Sequence, residues 1–355
     1  MDLKEIMGKF KIDSSVELYG NGHINDTYLC GMAPRYILQR INHNVFKSPE
    51  QVMENIYHVT EHVRKKIIAG GGNPERETLT VVPTKDGNIF YKSEDGNYFR
   101  MYRFIEDSVS YDLVENPIQL YHAGKAFGHF QKMLDDFPAD QLYETIVDFH
   151  NTPKRIGHLK EAAEKNTAGR LDEVGEEIAF AQKYEPYASL IVDALADGRM
   201  PLRVTHNDTK LNNVLFDKTT GEGVCVIDLD TVMPGSVLYD FGDALRFGAS
   251  SGAEDETDLD KIYFDLEKFE QFAKGFLEET ADCLTETERK LLPESALILT
   301  YECGTRFLTD YLNGDVYFKI HREKHNLDRA RNQFKLVADI ESKLPAMHEI
   351  VEKYL

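Results

Sequence analysis

Basic residues are in short supply in this chain. Its 355 residues carry 41 Lys and Arg against 61 Asp and Glu, a formal net charge of −20. Broad nucleic-acid binding needs a basic stripe, so nucleic acid is not expected as a partner. The acidic surplus serves solubility. Cysteine is scarce as well. Cys30, Cys225, Cys283 and Cys303 are scattered and form no Cys-x-x-Cys pair, which excludes a disulfide framework and a zinc site and fits a reduced, cytoplasmic protein. No window approaches 18 apolar residues, so no membrane span or membrane partner is expected. The opening stretch MDLKEIMGKFKIDSS has no apolar core of the secretion-signal kind.

Several catalytic signatures are also absent. No G-x-x-x-x-G-K-[ST] occurs, so a P-loop enzyme is excluded, and no G-x-G-x-x-G opens a helix as a dinucleotide fold requires. The twelve histidines contain no H-E-x-x-H, which removes the usual metal hydrolase. Gly248-Ala249-Ser250-Ser251-Gly252 does satisfy G-x-S-x-G. A nucleophile elbow must follow a buried strand and open a helix. This stretch follows a helical pattern, Leu238 to Phe247, and precedes the acidic run AEDETDLD, so a helix-ending loop is expected instead.

What is present is enough for a large core. Hydrophobic residues make up 42% and aromatics 11% of a chain longer than one core usually grows, so two domains are expected. The first hundred residues read as short strands: Val16 to Tyr19, Thr27 to Cys30, Tyr36 to Ile41, Leu79 to Pro83, Asn88 to Lys92 and Asn97 to Ile105. Lys85-Asp86-Gly87 and Glu94-Asp95-Gly96 are hairpin-type turns between them. One helix, Pro49 to Ala69, interrupts them and ends at three glycines. The alternation Tyr98, Tyr102, Phe104 suits a strand with one buried face. After residue 106 helical patterns dominate, over Pro117 to Phe137, Asp172 to Leu195, Leu266 to Phe276, Glu286 to Asn313 and Leu327 to Tyr354. The expected fold is α+β and two-lobed, with a β-rich domain over 1–106 and a mostly helical domain over 107–355.

One β-rich interruption, Leu202 to Asp230, carries the chemistry. It reads H-x-D-x-x-x-x-N, then a hairpin, then an apolar strand ending in Asp228. Phosphoryl transfer needs little covalent help from protein; it needs positioning and charge compensation. Asp208, on a loop leaving the strand, is placed to accept the proton of an attacking hydroxyl. Mg²⁺ takes oxygen ligands and usually only one or two carboxylates beside phosphate oxygens. Asn213 and Asp228, side by side on the hairpin, supply such a set. Lys210 suits a transferring phosphoryl group, and His206 suits orienting the loop. A second stretch, Tyr19 to Tyr28, holds Gly20, Gly22 and Asn25 between two strands; glycines there let backbone amides approach phosphate oxygens.

These residues resemble the aminoglycoside and choline kinase superfamily, whose fold is protein-kinase-like. The resemblance spans nearly the whole chain and is densest at GNGHIND, RVTHNDTKLNN, VIDLDTVMPGSVLYDFGDALRFG and ECGTRFLTDYLNGDVYF. Within the superfamily the chain looks close to the N-acetylhexosamine 1-kinases. The resemblance implies ATP and Mg²⁺ as cofactors and transfer to the anomeric hydroxyl of N-acetylglucosamine or N-acetylgalactosamine. It implies Asp208 as base and Asn213 and Asp228 as Mg²⁺ ligands. The Gly20 to Asn25 loop would cover the phosphates, and Tyr102, Phe104 and Ile105 would form the adenine-facing hinge. His23, Asp208, Arg306 and Tyr317 would surround the sugar. From the residues alone Arg306 could equally be a structural ion pair and Tyr317 a core residue.

Two departures stand out. Protein kinases carry a phosphate-gripping Lys on the third strand. Here the position facing the nucleotide by alternation is the uncharged Gln39, and Arg40 faces away. Tyr239-Asp240 also follows Asp228 within about ten residues, leaving no room for a peptide-docking loop, so a small acceptor is expected. A non-catalytic, pseudokinase-like binding protein competes through Gln39; the complete set Asp208, Asn213 and Asp228 weighs against it. A cationic acceptor such as an aminoglycoside or choline would need clustered carboxylates near the substrate. The sequence leaves the oligomeric state open.

Overall fold

The computed structural model describes residues 2–20 and 24–355. Two compact units are present. One gathers Met1–Ser110, Met133–Val147 and Asn213–Pro234; the other gathers Tyr111–Lys132, Asp148–Asn212 and Gly235–Leu355. The fold class is α+β, with a β-rich N-terminal sheet and a larger helical C-terminal part.

The first unit is organised by an antiparallel sheet of β1 (Val16–Leu18), β2 (Asp26–Cys30), β3 (Tyr36–Ile41), β4 (Tyr91–Lys92) and β5 (Tyr98–Arg103), in the order β1-β2-β3-β5-β4. Registers pair Thr27 with Gln39 and Gln39 with Arg100, so one row of side chains crosses three strands. Leu38, Phe99 and Met101 pack with Ile6 and Met7 of a short helix, Leu3–Lys9, and with Phe10, which caps its C-terminus. The helix Pro49–Ala69 has proline in its first turn and stops at Gly70, as the sequence predicts. Ser108–Val109, Val214–Asp217 and Gly223–Val226 form a second, three-stranded antiparallel sheet.

Three expectations for this unit are corrected. Leu79 to Pro83 is no strand; it pairs at one point only, Val81 to Tyr102, beside a proline that cannot donate to a ladder. Asn88 to Lys92 shrinks to Tyr91–Lys92. β5 is not half-buried. Tyr98 through Tyr102 are all buried and only Arg103 is exposed, because β5 lies inside the sheet with covered faces on both sides.

The second unit is helical. Its long helices are Pro117–Met133, Thr152–Lys165, Val237–Gly248, Leu266–Thr280, Glu286–Asn313 and His325–Tyr354. The predicted helix Asp172 to Leu195 is broken into Gly175–Tyr184 and Leu190–Ala196 around a 3-10 turn at Glu185–Tyr187. Pro186 in that turn lacks the amide and crowds the carbonyl four residues back. Pro293 and Pro345 stay inside longer helices. A helix that buries Leu297, Ile298, Tyr301 and Leu308 offsets the roughly 3 kcal/mol that an interior proline costs. Gly248 ends its helix and Ser250 bridges Phe264 beyond it, so G-x-S-x-G is a helix-ending loop.

Two helices of this unit touch backbone to backbone. A Cβ on Gly124 would sit 2.2 Å from the Phe272 carbonyl oxygen, and one on Gly275 would sit 2.1 Å from that of Tyr121. Nothing flexible can yield there. Gly124→Ala is expected to destabilise the protein by about 1–3 kcal/mol through overpacking, read as a lower urea midpoint. Gly157→Ala, where a Cβ meets nothing within 4 Å, serves as the neutral control.

Candidate active site

The loop that bears Asp208 belongs to the second unit, and one carboxylate organises it. Asp240 is buried near the start of helix Val237–Gly248. Its Oδ2 accepts the backbone N–H of His206 at 2.9 Å and the Gln131 amide at 2.6 Å; its Oδ1 accepts the N–H of Asn207 at 2.7 Å. Its backbone carbonyl accepts the Thr209 hydroxyl at 2.6 Å. Asp243, one turn on, accepts the Thr209 N–H at 3.0 Å. Two carboxylates of one helix therefore anchor backbone on both sides of Asp208. Burial pushes the Asp240 carboxyl above the usual carboxylate range, against the pull of His206 and the two amides. Asp243 goes the other way: burial would raise it, and the Arg246 guanidinium and Lys210 hold it low.

Asn207, just before Asp208, has φ +66°. Few residues but Asn, Asp and Gly adopt that conformation readily, so asparagine is the residue the turn requires. His206 is fully buried against the edges of Phe127 and Phe130, 5.6 and 6.2 Å between ring centres. Its Nδ1 lies 3.3 Å from the N–H of Asp208. The histidine thus holds the loop from beneath. Lys210 reaches back to Asp208, Nζ to Oδ1 at 2.7 Å. Burial would lower the lysine's pKa, but attraction to Asp208 and Asp243 outweighs it and raises the value. The pair is preorganised: a carboxylate that can take a proton, beside a cation that stays charged.

Arg306 lies on helix Glu286–Asn313 in this unit. Its guanidinium packs within 6 Å of three rings, at 5.8 Å from Phe149, 5.9 Å from Tyr317 and 5.5 Å from Phe318. Arg155 is a second guanidinium close by. Burial and then Arg306 itself lower its pKa, and its Nε is buried without a hydrogen-bond partner. The adjacent negative charge, Glu302, is engaged elsewhere, by His150 at 2.9 Å and by the Thr152 hydroxyl at 2.8 Å. Tyr317 is 70% exposed, so it is not a core residue. Its loop is held by Asp310, which accepts the N–H groups of Val316, Tyr317 and Phe318 at 3.0, 2.8 and 2.9 Å. An acidic residue in the last turn of a helix opposes the helix dipole; that misfit was the only sequence signal for Asp310.

Glu302 gives a pH dependence. Burial alone would raise its pKa, but His150, Arg306 and Thr152 bring it below the ordinary 4.5. A lowered folded value means stability present above 4.5 and lost as pH falls through the folded pKa. Glu302→Gln is expected to flatten the acid limb of unfolding free energy against pH, measured by urea denaturation from pH 7 down to pH 3.

The first unit carries the remaining predicted residues. Asn213 and Val226 flank the hairpin: Val214 pairs with Val226, and the N–H of Ile227 donates to the Asn213 carbonyl at 2.9 Å. This pins Asn213 beside the segment that ends in Asp228. Asp228 is exposed and left-handed, φ +58°, another position where a small polar residue is favoured. Asn213 ends the 3-10 turn Leu211–Asn213 just before one strand of the hairpin, and Asp228 lies just beyond the other. An amide and a carboxylate are donor types that suit Mg²⁺, which keeps most of its ligands as water and phosphate.

Gly20 has φ +74°, which explains the glycine. Gly22 and His23 lie outside the described residues. Asn25 is held at both ends: its Nδ2 donates to Asp230 at 2.6 Å and its Oδ1 accepts the Asn42 N–H at 2.9 Å. Gln39 donates to the Thr27 hydroxyl at 3.0 Å and accepts from Arg100 Nε at 2.9 Å. Arg40 faces away, to Asp26 at 2.7 Å. Tyr102 is buried, and burial raises its hydroxyl pKa. The Phe104 N–H donates to the Arg35 carbonyl at 3.0 Å, the Ile105 carbonyl accepts the Ser108 hydroxyl at 2.7 Å, and the Phe104 ring meets Tyr19 edge-on at 5.9 Å. A cavity of about 500 Å³ opens beside Phe104, but its arginines Arg35, Arg76 and Arg103 are paired with Glu106, Asp217 and Glu75.

Solved structures with this fold include a microcompartment-associated aminopropanol kinase, at 15% identity, 98% coverage of each chain and a TM-score of 0.63. An aminoglycoside phosphotransferase from Alicyclobacillus acidocaldarius aligns at 12% identity over 99% of this chain and 97% of its own, with a TM-score of 0.61. Choline kinase from Cryptosporidium parvum aligns at 13% identity over 94% and 90%, with a TM-score of 0.55. At such identities the likeness establishes the fold. The sequence model of the phosphotransferase enzyme family matches residues 15–273, which include Asp208, Lys210, Asn213 and Asp228, and the chain belongs to that family.

Proposed function

We propose that this protein transfers the γ-phosphoryl group of ATP to a hydroxyl of a small, uncharged acceptor, the anomeric hydroxyl of an N-acetylhexosamine. The observation that carries the reading is the Asp208–Lys210 pair on a loop clamped by Asp240 and Asp243. Asp208 takes the proton of the attacking hydroxyl and aims its oxygen, as a positioned base does. Lys210 offers its charge to the phosphoryl group in flight. His206 keeps the loop in place and touches no substrate.

Asn213 and Asp228 would hold Mg²⁺, which when bound neutralises phosphate charge. Gly20, Gly22 and Asn25 would shape the loop over the phosphates. Gln39 would face the nucleotide, and Tyr102, Phe104 and Ile105 would form the hinge strand for adenine. His23, Arg306 and Tyr317 would meet the sugar. A cytoplasmic location fits this chemistry, and no helix among the described residues is long and apolar enough to cross a membrane.

The acceptor's charge follows from Arg155 and Arg306. Two neighbouring guanidiniums repel a cation and favour the carbonyl and hydroxyl oxygens of an acetamido sugar. Glu302, already held by His150 and Thr152, offers little to an ammonium group. The test is an acceptor panel of N-acetylhexosamines, hexoses, choline, amino alcohols and aminoglycosides, with coupled ADP detection and product NMR. A product phosphorylated on the anomeric oxygen of an N-acetylhexosamine is expected. Turnover confined to the amines would overturn the acceptor assignment, and no turnover on any acceptor would overturn the kinase reading. Arg306→Ala is expected to raise the acceptor KM tenfold or more with the ATP KM within twofold; equal effects on both would make Arg306 structural.

A further inference from the structure

Gln39 leaves the first unit without the third-strand lysine that ordinarily grips nucleotide phosphates, yet a cation sits one strand away. Arg100 stands directly opposite Gln39 in the β3–β5 register. It is 1% exposed, and a buried arginine in mid-strand needs an explanation. Its Nε donates to Gln39 Oε1 at 2.9 Å, and its Nη1 bonds Asp230 Oδ1. Asp230 is itself 3% exposed and lies two residues beyond Asp228. The other oxygen of Asp230 accepts from Asn25, at the end of the glycine-containing stretch, at 2.6 Å. Asn25 in turn fixes the N–H of Asn42 at 2.9 Å, just past the end of β3. One continuous chain of hydrogen bonds thus runs Thr27–Gln39–Arg100–Asp230–Asn25–Asn42.

We propose that Arg100 is the cation of the nucleotide-binding half: a positioning residue that, through Asp230, fixes the Asn25 end of the glycine loop to the segment bearing Asp228. The inference rests on the phosphotransfer reading above. Stability alone is a poor account of this ion pair, since a buried pair is commonly no better than a well-packed apolar one. Specificity of arrangement is the better account, because each partner touches a different element of the proposed phosphate site. Charge points the same way. Asp228 and Asp230 would present two negative charges to a triphosphate; buried Arg100 cancels one of them and acts at short range where water does not screen it. Gln39 then has a stated role. It orients the guanidinium, and a lysine in its place would compete with Arg100 for the same space.

The test uses the full chain with Mg²⁺ and the non-hydrolysable analogue AMP-PNP, and reads binding by calorimetry beside kcat and both KM values. Asn25→Ala cuts the network at its loop end. Arg100→Gln combined with Asp230→Asn removes both charges, keeps amide hydrogen bonds, and avoids an orphaned buried charge. Each is expected to weaken Mg·AMP-PNP binding at least tenfold, with the acceptor KM within twofold and the melting temperature little changed. Their combination is expected to cost no more than the larger single effect, since both break one linkage. Parent-like nucleotide affinity in Asn25→Ala, or in a folded Arg100→Gln/Asp230→Asn protein, would overturn the inference and leave the kinase reading standing. A parent protein that bound no Mg·AMP-PNP would overturn both. If the charge-neutral pair fails to fold, Asn25→Ala decides alone.

Discussion

Asp208→Asn is expected to lower kcat by about 10²–10⁴-fold, the range that a positioned base contributes, with Mg·nucleotide affinity within about twofold of the parent. The substitution is isosteric, and it leaves the backbone anchors of the loop in place. The loop is held through the N–H groups of His206, Asn207 and Thr209 on Asp240 and Asp243, and through the Asp208 N–H on His206. What changes is the proton acceptor, together with the partner of Lys210. An amide cannot take the hydroxyl proton, and it no longer anchors the lysine. Steady-state kinetics and direct nucleotide titration separate the outcomes. A folded variant with full turnover would remove Asp208 from the role of base, and loss of nucleotide binding in step with kcat would make it a binding residue.

The legible parts of this chain were those whose signal is local. Strand Tyr36–Ile41 and helices Pro49–Ala69 and Glu286–Asn313 fall where the sequence puts them, because caps, prolines and glycines mark their ends and a long period fills them. The hairpin after Asn213 was legible for the same reason, as was the helix-ending nature of Gly248 to Gly252. Helix Thr152–Lys165 was overlooked although Asn151 caps it and Pro153 stands in its first turn; its mean polarity hid its buried stripe of Ile156, Leu159 and Ala162. Strand Leu79 to Pro83 was lost to a proline, and the helix through Pro186 to another. Polar residues with distant partners were not legible. Arg100 finds Asp230 130 positions away, Asp310 acts by gathering amides of a following loop, and Arg155 shows its character only beside Arg306. No spacing rule connects such pairs, because the fold brings them together.

Asp240 is the strongest case of that kind, and its removal is expected to have the largest combined effect on stability and turnover. Asp240→Ala orphans the N–H groups of His206 and Asn207 and the Gln131 amide, donors that now meet one buried carboxylate. A buried donor left without a partner costs about 1–3 kcal/mol, so a loss on the order of several kcal/mol is expected even where water refills part of the cavity. Asp240→Asn separates size from charge. It fills the space but brings an NH₂ group against donors, so one side of the clamp becomes donor facing donor. Both variants are expected to loosen the loop around Asp208, because the side-chain anchors of the His206 and Asn207 amides are weakened while the Thr209 contacts with Asp243 and the Asp240 carbonyl remain. The readout is amide hydrogen exchange at His206 and Asn207 in protein held below its melting point, alongside kcat. Faster exchange at those two amides with kcat reduced by at least tenfold is expected in Asp240→Asn. Unchanged exchange there would show that the loop is held by its own turn, with Asn207 in the left-handed conformation, and Asp240 would then be a core carboxylate with no part in placing the base. On the proposed reading, catalysis would depend on where Asp208 is held as much as on what it is, and Asp240, which accepts from three converging donors, carries a carboxyl raised by its own burial.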